Sequence, residues 1–245
     1  MLSICELENA FAQSISNILN DPLLYFSESD IHSIIYSDLI KKLPNLNKLI
    51  ETKLTIGLNR KKDDSKKKYK TICLHREYGI NGIDYARSDI VIFDEKDISD
   101  IIDPINLKTG KTKNDYLQPQ FILEFGTEKS AGSASLFESH LTGDIEKASY
   151  SKKFGYIVHL QRVYNRDNDI SKYAEYENII NSIMDKLHNV KVLFFLISIG
   201  SDTVSIFREG KVKLYSSKNK KVKGIPKTKY VKLIMDELNY QEKIF

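Results

Sequence analysis

Residues 121–163, FILEFGTEKSAGSASLFESHLTGDIEKASYSKKFGYIVHLQRV, carry the pattern that decides the fold class. The apolar run at 121–126 predicts a strand, and 134–153 predicts a helix because its apolar residues recur at helical spacing. A second apolar run at 156–163 predicts another strand. Strands that alternate with helices are typical of α/β domains, so we expect a mixed sheet flanked by helices.

Local patterns assign elements to the rest of the chain. Ser27 is placed to cap a helix, and Asp30 stands three residues later in the capping-box position. Further helices are predicted at 2–19, 169–187 and from 228, and strands at 52–58, 69–77, 87–93, 191–199, 203–207 and 211–215. We expect a single domain over 1–245, with a core at 24–164, an N-terminal helix at 1–20 and a C-terminal α/β extension at 165–245.

The composition excludes several classes of protein. Of the 245 residues, 41% are hydrophobic and 29% are charged, which is typical of globular proteins and not of disordered chains. The longest apolar run, 192–197, is far shorter than the roughly 20 residues that span a bilayer, and is typical of a central strand covered on both faces. The N-terminus lacks the basic region of a signal peptide, and Cys5 and Cys73 form no CxxC pair. We therefore expect a cytoplasmic protein with no membrane partner.

The formal net charge of +4 conceals two strongly basic segments. Residues 60–70 carry a local charge of +5 and residues 208–232 a local charge of +9, so the rest of the chain sums to −10. Seven acidic side chains lie within 84–103. Basic surfaces around an acidic centre suit a protein that holds a polyanion and a metal cation together. Lysine runs are equally typical of solvated loops.

Two carboxylates stand alone inside apolar strands. Asp89 lies in RSDIVI at 87–92, and Glu124 lies in FILEF at 121–125. An isolated buried carboxylate costs several kcal/mol unless it is paired, protonated or bound to a metal. If the two strands are neighbours, the pair predicts a divalent-cation site, and oxygen ligands favour Mg²⁺ or Mn²⁺ over Zn²⁺.

The order of these segments resembles the PD-(D/E)XK, or restriction-endonuclease-like, nuclease superfamily, whose core runs αβββαβ. Residues 27–39 (SESDIHSIIYSDL) look like its first helix, and 75–80 (HREYGI) look like the strand before the aspartate strand. Residues 143–160 (GDIEKASYSKKFGYIVHL) look like the helix and strand that follow the catalytic carboxylate. The resemblance covers roughly residues 24–164 and rests on short motifs.

This resemblance implies Mg²⁺-assisted hydrolysis of phosphodiester bonds. Asp89 and Glu124 would hold the metal, and Glu77 would join them at a position that is often acidic in the superfamily. Glu28, on the first helix, would act through a second metal or a water, although the helix dipole alone favours an acid there. A lysine beside the attacking water would stabilise or deprotonate the nucleophile.

The chain departs from the superfamily at that lysine. The motif Glu-x-Lys places both side chains on one face of the strand, whereas residues 124–126 read EFG. Two substitutes are available, Lys129 beyond the strand end and Lys147 on the following helix. We favour Lys147 because Asp144 and His140 lie one and two turns before it on the same polar stripe. An ordinary exposed helix face would explain this stripe equally well.

We therefore expect a metal-dependent endonuclease that acts on DNA, with RNA open as a substrate. Lysines of the two basic segments would contact phosphates without reading sequence, namely Lys61, Lys62, Lys66, Lys67, Lys68, Lys218, Lys220, Lys221 and Lys223. A homodimer would be the simplest assembly for cutting both strands. Two alternatives remain, a catalytically inactive nucleic-acid-binding derivative of the fold and a protein-interaction subunit whose lysines only confer solubility.

Overall fold

The computed structural model describes residues 2–21, 27–57, 66–79, 87–101, 117–127, 133–163, 169–184, 187–198, 203–208, 211–216 and 227–243. The helices of this part are α1 (Ile4–Asn20), α2 (Glu28–Lys42), α3 (Glu95–Ser99), α4 (Ala134–Ser149), α5 (Asp169–Met184) and α6 (Lys227–Glu242). Its strands are β1 (Ile50–Gly57), β2 (Lys66–Thr71), β3 (Leu74–Gly79), β4 (Arg87–Ile92), β5 (Phe121–Thr127), β6 (Phe154–Val163), β7 (Val190–Ser198), β8 (Thr203–Arg208) and β9 (Lys211–Ser216). Within these ranges no helix combines the length and the apolar character needed to cross a membrane.

Seven of these strands form one mixed sheet. Their order is β3-β4-β5-β6-β7-β8-β9, so neighbours along the chain are also neighbours in space. Strands β5, β6 and β7 run parallel, and the other adjacent pairs are antiparallel. Strands β1 and β2 pair with each other in a separate antiparallel sheet. The predicted α/β class with a mixed sheet is confirmed.

Side-chain caps set the starts of α1, α2 and α4, and Asp94 caps α3 in the same way. Ser27 Oγ accepts a hydrogen bond from the backbone N–H of Asp30 at 3.3 Å, and the Asp30 carboxylate accepts one from the Ser27 N–H at 2.8 Å. This reciprocal pair is the predicted capping box, which satisfies two otherwise unpaired donors at the start of α2. Ser3 and Glu6 form the same box in α1, and Ser133 caps α4.

Two predicted boundaries are wrong. The strand expected at 69–77 is two strands, because β2 pairs with β1 whereas β3 pairs with β4 in the large sheet. An apolar pattern predicts that a segment is extended but does not identify the strand with which it pairs. The change from one sheet to the other at residues 72–73 could therefore not be predicted from the local sequence. The helix expected to reach 153 ends at Ser149, and Tyr150 forms its C-cap.

Helix α4 joins the parallel strands β5 and β6 and packs closely against them. A Cβ atom at Gly155 would lie 2.7 Å from the carbonyl carbon of Ala148. Glycine therefore allows the last turn of α4 to approach the backbone of β6. Phe137 and Leu141 of the same helix are fully buried. This packing fixes which face of α4 points to the sheet, and so determines where its polar side chains lie.

The two terminal helices meet the sheet at β7. This strand lies between β6 and β8 and is buried, as its apolar sequence predicts. Helices α1 and α6 pack against each other, and the fully buried Lys191 of β7 contacts both. Its Nζ lies 2.6 Å from Glu8 Oε1 on α1 and 3.0 Å from Glu242 Oε2 on α6. The N-terminal helix and the C-terminal segment are therefore tied to the same sheet as the central strands.

Candidate active site

Glu124 lies at the centre of the candidate site. Its side chain is 0% exposed on β5, and one oxygen, Oε2, accepts a hydrogen bond from Lys147 Nζ at 2.5 Å. The other oxygen, Oε1, is buried and has no hydrogen-bond partner among the described residues. Burial raises the pKa of Glu124 well above its usual value, and the charge of Asp89 acts in the same direction. A buried acceptor without a donor marks a place where a cation would be stabilised.

Asp89 lies beside Glu124 on the neighbouring strand. Its Oδ2 accepts a hydrogen bond of 2.8 Å from the backbone N–H of Phe125, the residue that follows Glu124. The antiparallel pairing of β4 with β5, in which Ile90 faces Leu123, brings the two strands into this register. The Asp89 side chain is 13% exposed. The two carboxylates singled out in the sequence are therefore neighbours, one fully buried and one open to solvent on one side.

Lys147 reaches this pair of carboxylates from α4. Its Nζ lies 2.5 Å from Glu124 Oε2 and 3.0 Å from Asp144 Oδ1. Burial alone would lower the pKa of this ammonium, but the carboxylates of Glu124 and Asp144 raise it above its usual value. Of the two lysines considered as substitutes for the motif lysine, Lys147 is thus in contact with Glu124, and Lys129 lies outside the described residues.

The position two residues after Glu124 is occupied by glycine for a steric reason. Gly126 on β5 is paired with His159 on β6 in the parallel register. A Cβ atom at Gly126 would lie 2.8 Å from His159 Nε2 and closer still to Cε1 and Nδ1 of the ring. The imidazole therefore fills the space that any side chain at this position would need. A lysine at this position, as in a Glu-x-Lys motif, would overlap the ring of His159.

We expect Gly126→Ala to destabilise the protein by about 1–3 kcal/mol, because the added methyl group would overlap a buried imidazole. The matched control is Gly143→Ala on α4, where a Cβ atom meets nothing within 4 Å. That change should be neutral or stabilising by up to about 1 kcal/mol, since alanine favours the helix. Urea unfolding measures both. In a His159→Ala background, which lacks the ring, Gly126→Ala should cost much less than it does in the wild-type protein, and an equal cost in both backgrounds would contradict the steric explanation.

A cluster of His140, Asp144 and His159 adjoins Lys147. Asp144 Oδ2 lies 2.9 Å from His140 Nδ1 and 3.5 Å from His159 Nε2. Burial alone would raise the pKa of Asp144, but the adjacent imidazoles and the Lys147 ammonium hold it well below its usual range. The contact with Asp144 raises the pKa of His140. The sequence identified the stripe of His140, Asp144 and Lys147, but the exposed-face explanation of it is wrong for Asp144, which is buried.

A second cluster consists of Glu28, His32 and Asp89. Nε2 of the buried His32 lies 3.2 Å from Asp89 Oδ2 and 3.9 Å from Glu28 Oε1. Burial and the nearby Asp89 raise the pKa of Glu28. The ligand atoms of the three residues lie within 4.8 Å of one another, close enough to share a cation. His32 was not identified from the sequence, although it stands four residues after Glu28 and thus on the same helix face.

Glu77 is placed at the rim of this second cluster. Its Oε1 lies 3.9 Å from Nδ1 of His32, the ring nitrogen that faces away from Asp89, and its side chain is 53% exposed. The backbone of Glu77 has φ 52°, in the left-handed region that non-glycine residues rarely adopt. Glu77 is not among the three residues of this cluster whose ligand atoms lie within 4.8 Å of one another.

The lysines predicted to contact phosphates fall largely outside the described part of the chain. This applies to Lys61, Lys62, Lys218, Lys220, Lys221 and Lys223. Lys66 and Lys67 lie in β2. Lys68 is exposed, and its Nζ lies 2.6 Å from Glu51 Oε1. An exposed pair of this kind contributes little to stability, because water screens the two charges.

Comparison of the chain with protein-family models, with curated proteins and with solved structures finds no match. Functional inference for this chain therefore comes from the chemistry of its residues. Lys147 lies between the two clusters. It contacts Asp144 of the first cluster, and it contacts Glu124, which is the neighbour of Asp89 in the second cluster. The arrangement can hold a divalent cation against carboxylate oxygens and can present an ammonium group to an anion bound there.

Proposed function

We propose that this protein is a metal-dependent nuclease that hydrolyses phosphodiester bonds, with DNA as the favoured substrate. The observation that carries the proposal is the convergence of Asp89, Glu124 and Lys147, which come from β4, β5 and α4. The two carboxylates can hold a cation. That cation and the neighbouring ammonium would together stabilise the negative charge that develops on a phosphate under attack by water.

The order of elements around the site supports this proposal. After α2 the chain forms the separate β1–β2 pair and then the antiparallel strands β3, β4 and β5, with the short α3 between β4 and β5. Helix α4 and strand β6, which is parallel to β5, come next. This succession agrees with the αβββαβ order of the PD-(D/E)XK core, with the two carboxylates on its second and third strands. A fold alone does not specify an activity, so the site residues carry more weight than the topology.

The residues fit Mg²⁺ or Mn²⁺. Glu124 Oε1 is buried without a hydrogen-bond partner among the described residues, and Asp89 keeps one side open to solvent. His32 Nε2, at 3.2 Å from Asp89 Oδ2, offers a nitrogen ligand, which favours Mn²⁺ over Mg²⁺. A bound cation would supply positive charge that lowers the pKa of a water and stabilises phosphate oxygens.

The protein residues would divide the remaining tasks. Lys147, held between Glu124 and Asp144, would place its positive charge where negative charge develops on the phosphate. Glu28, on the far side of His32, would orient a water or the imidazole. The backbone N–H of Phe125 fixes the Asp89 carboxylate in its orientation. Exposed lysines of the basic segments would contact flanking phosphates, and a homodimer would allow both strands to be cut.

We expect Lys147→Met to lower the rate of DNA cleavage by about 10²–10³-fold, because an uncharged side chain of similar length cannot stabilise a developing anion. Nicking of supercoiled plasmid in Mg²⁺ or Mn²⁺ measures the rate. Lys152→Met is the matched control, since this lysine lies just after α4 and pairs with Asp97 instead of the site carboxylates. Similar losses in both variants would argue against a catalytic role for Lys147.

The same assay separates the nuclease from the alternative of a binding-only derivative. That alternative was motivated by the missing motif lysine, and the contact of Lys147 with Glu124 supplies an ammonium at the site. A wild-type protein that retains DNA in a salt-sensitive manner, yet cleaves nothing with any divalent cation, would support the binding-only function. A protein that neither binds nor cleaves nucleic acid would support the protein-interaction function.

A further inference from the structure

We propose that His140, Asp144 and His159 bind a first-row transition metal ion such as Zn²⁺, at a site distinct from the Asp89–Glu124 carboxylates. One ligand atom from each of the three residues lies within 4.8 Å of the others. Asp144 Oδ2 is 2.9 Å from His140 Nδ1 and 3.5 Å from His159 Nε2. Two ligands at ~2.05 Å from a tetrahedral ion lie ~3.3 Å apart, so the ion fits with small side-chain adjustments.

The polar atoms of this cluster are buried and incompletely satisfied. Asp144 is 3% exposed and His159 is 1% exposed. Asp144 Oδ2, His140 Nδ1 and His159 Nε2 are buried atoms that have no hydrogen-bond partner among the described residues other than one another. Buried polar atoms are normally paired, so three such atoms in one place indicate a ligand common to them. An ion at their centre would satisfy all three at once.

The chemistry of the donors selects the class of metal. Two imidazole nitrogens and one carboxylate oxygen form a ligand set typical of Zn²⁺ and its neighbours in the first row, whereas Mg²⁺ prefers oxygen ligands alone. The His140 side chain is 34% exposed, so the site opens to solvent on that side. A water or a substrate atom can therefore complete the coordination of an ion held by three protein ligands.

The fold brings the three proposed ligands together from one helix and one strand. His140 and Asp144 are four residues apart on the face of α4 that meets the sheet, and His159 stands opposite Gly126 on β6. Gly126 leaves room for the imidazole, which places Nε2 towards Asp144. The remaining Asp144 oxygen, Oδ1, is taken by Lys147 at 3.0 Å. The ion would thus fix Asp144 and, through it, the position of Lys147 beside Glu124.

The test is a titration of the full-length, metal-stripped protein with Co²⁺, which reports its coordination through visible absorption. The Asp89→Asn/Glu124→Gln double variant is titrated in parallel, because it lacks the proposed nuclease carboxylates. We expect the double variant to bind one equivalent with the absorption of four- or five-coordinate Co²⁺, and Zn²⁺ to displace it. The wild-type protein should show the same absorption, and any further equivalent that it binds belongs to the carboxylate site that the double variant lacks. Because the titration measures metal binding and not cleavage, its outcome tests the metal site independently of the nuclease proposal.

Ligand variants complete the design. His140→Ala, at a partly exposed position, and Asp144→Asn, a change of similar shape, should each weaken Co²⁺ binding by at least about 100-fold. His188→Ala removes an exposed histidine that belongs to neither cluster and should leave the affinity unchanged. Circular dichroism confirms that each variant is folded. Absence of Co²⁺ binding by the wild-type protein, or binding that survives both ligand variants, would overturn the site and leave a hydrogen-bonded histidine–aspartate pair as the explanation.

Discussion

Glu124→Gln and Asp89→Asn are each expected to lower the metal-dependent cleavage rate by about 10³-fold or more, equivalent to ~4 kcal/mol of transition-state stabilisation. Each change keeps the shape of the side chain but removes the negative charge that attracts a divalent cation. An asparagine at 89 can still accept the hydrogen bond from the Phe125 N–H, so the pairing of β4 with β5 should persist. A glutamine at 124 leaves Lys147 in contact with Asp144.

The measurement is plasmid nicking by identically purified proteins over a series of Mg²⁺ and Mn²⁺ concentrations. Glu146→Gln is the control, because this exposed acid lies on α4 next to Lys147 but makes no contact with the site carboxylates. It should cleave at the wild-type rate. Cleavage that survives both Glu124→Gln and Asp89→Asn would show that the activity belongs to another site or to a contaminant.

Lys191→Met is expected to destabilise the fold by about 3–5 kcal/mol, the range found when one partner of a buried ion pair is removed. The Lys191 ammonium is fully buried, where it lies 2.6 Å from Glu8 Oε1. Glu8 also accepts a hydrogen bond of 2.9 Å from the Tyr156 hydroxyl. This neutral donor alone cannot balance the negative charge of the Glu8 carboxylate. Without Lys191, the carboxylate of Glu8 would be left uncompensated between α1 and the sheet. Denaturant unfolding followed by circular dichroism measures the loss.

A double-mutant cycle isolates the ion pair from the packing. Glu8→Gln with Lys191→Met removes both charges while keeping similar volumes, and its loss should be smaller than the sum of the two single losses by at least about 1 kcal/mol. Lys153→Met serves as the control for loss of a cation, since Lys153 is only partly buried and its Nζ lies over the Phe121 ring at 5.3 Å from the ring centroid. Additive losses in the cycle would mean that Lys191 acts through packing and not through its charge.

Local features of the fold were predictable because they depend on residues three or four positions apart. The Ser27–Asp30 capping box and the start of the helix predicted at 134–153 follow from such spacing, and the strand predicted at 191–199 follows from its unbroken apolar run. The two lone carboxylates were also visible, because a charged residue within an apolar strand is costly without a partner. Where the sequence pattern was purely local, the structure agrees with it to within a few residues.

The choice between Lys129 and Lys147 could not be settled from spacing alone. Lys147 contacts Glu124 because α4 crosses back over β5, and the close approach at Gly155 sets the depth of that crossing. His32 reaches Asp89 because α2 lies against β4 and β5. Both contacts join residues that are distant in the chain, and no periodicity in the sequence encodes which of several polar residues will meet.

The sequence by itself therefore determined most of the helices and strands, the α/β class and the two lone carboxylates, since these follow from propensity, capping and apolar pattern, which are local properties. Only the tertiary structure decided the partners of those carboxylates. The register of β5 against β6 places His159 over Gly126, where its ring leaves no room for another side chain, and brings His159 together with His140 and Asp144. A shift of one residue in that register would turn His159 to the opposite face, because side chains alternate along a strand. Register is fixed by the pairing of whole strands, and this is why the single histidine in an apolar strand could not be interpreted beforehand.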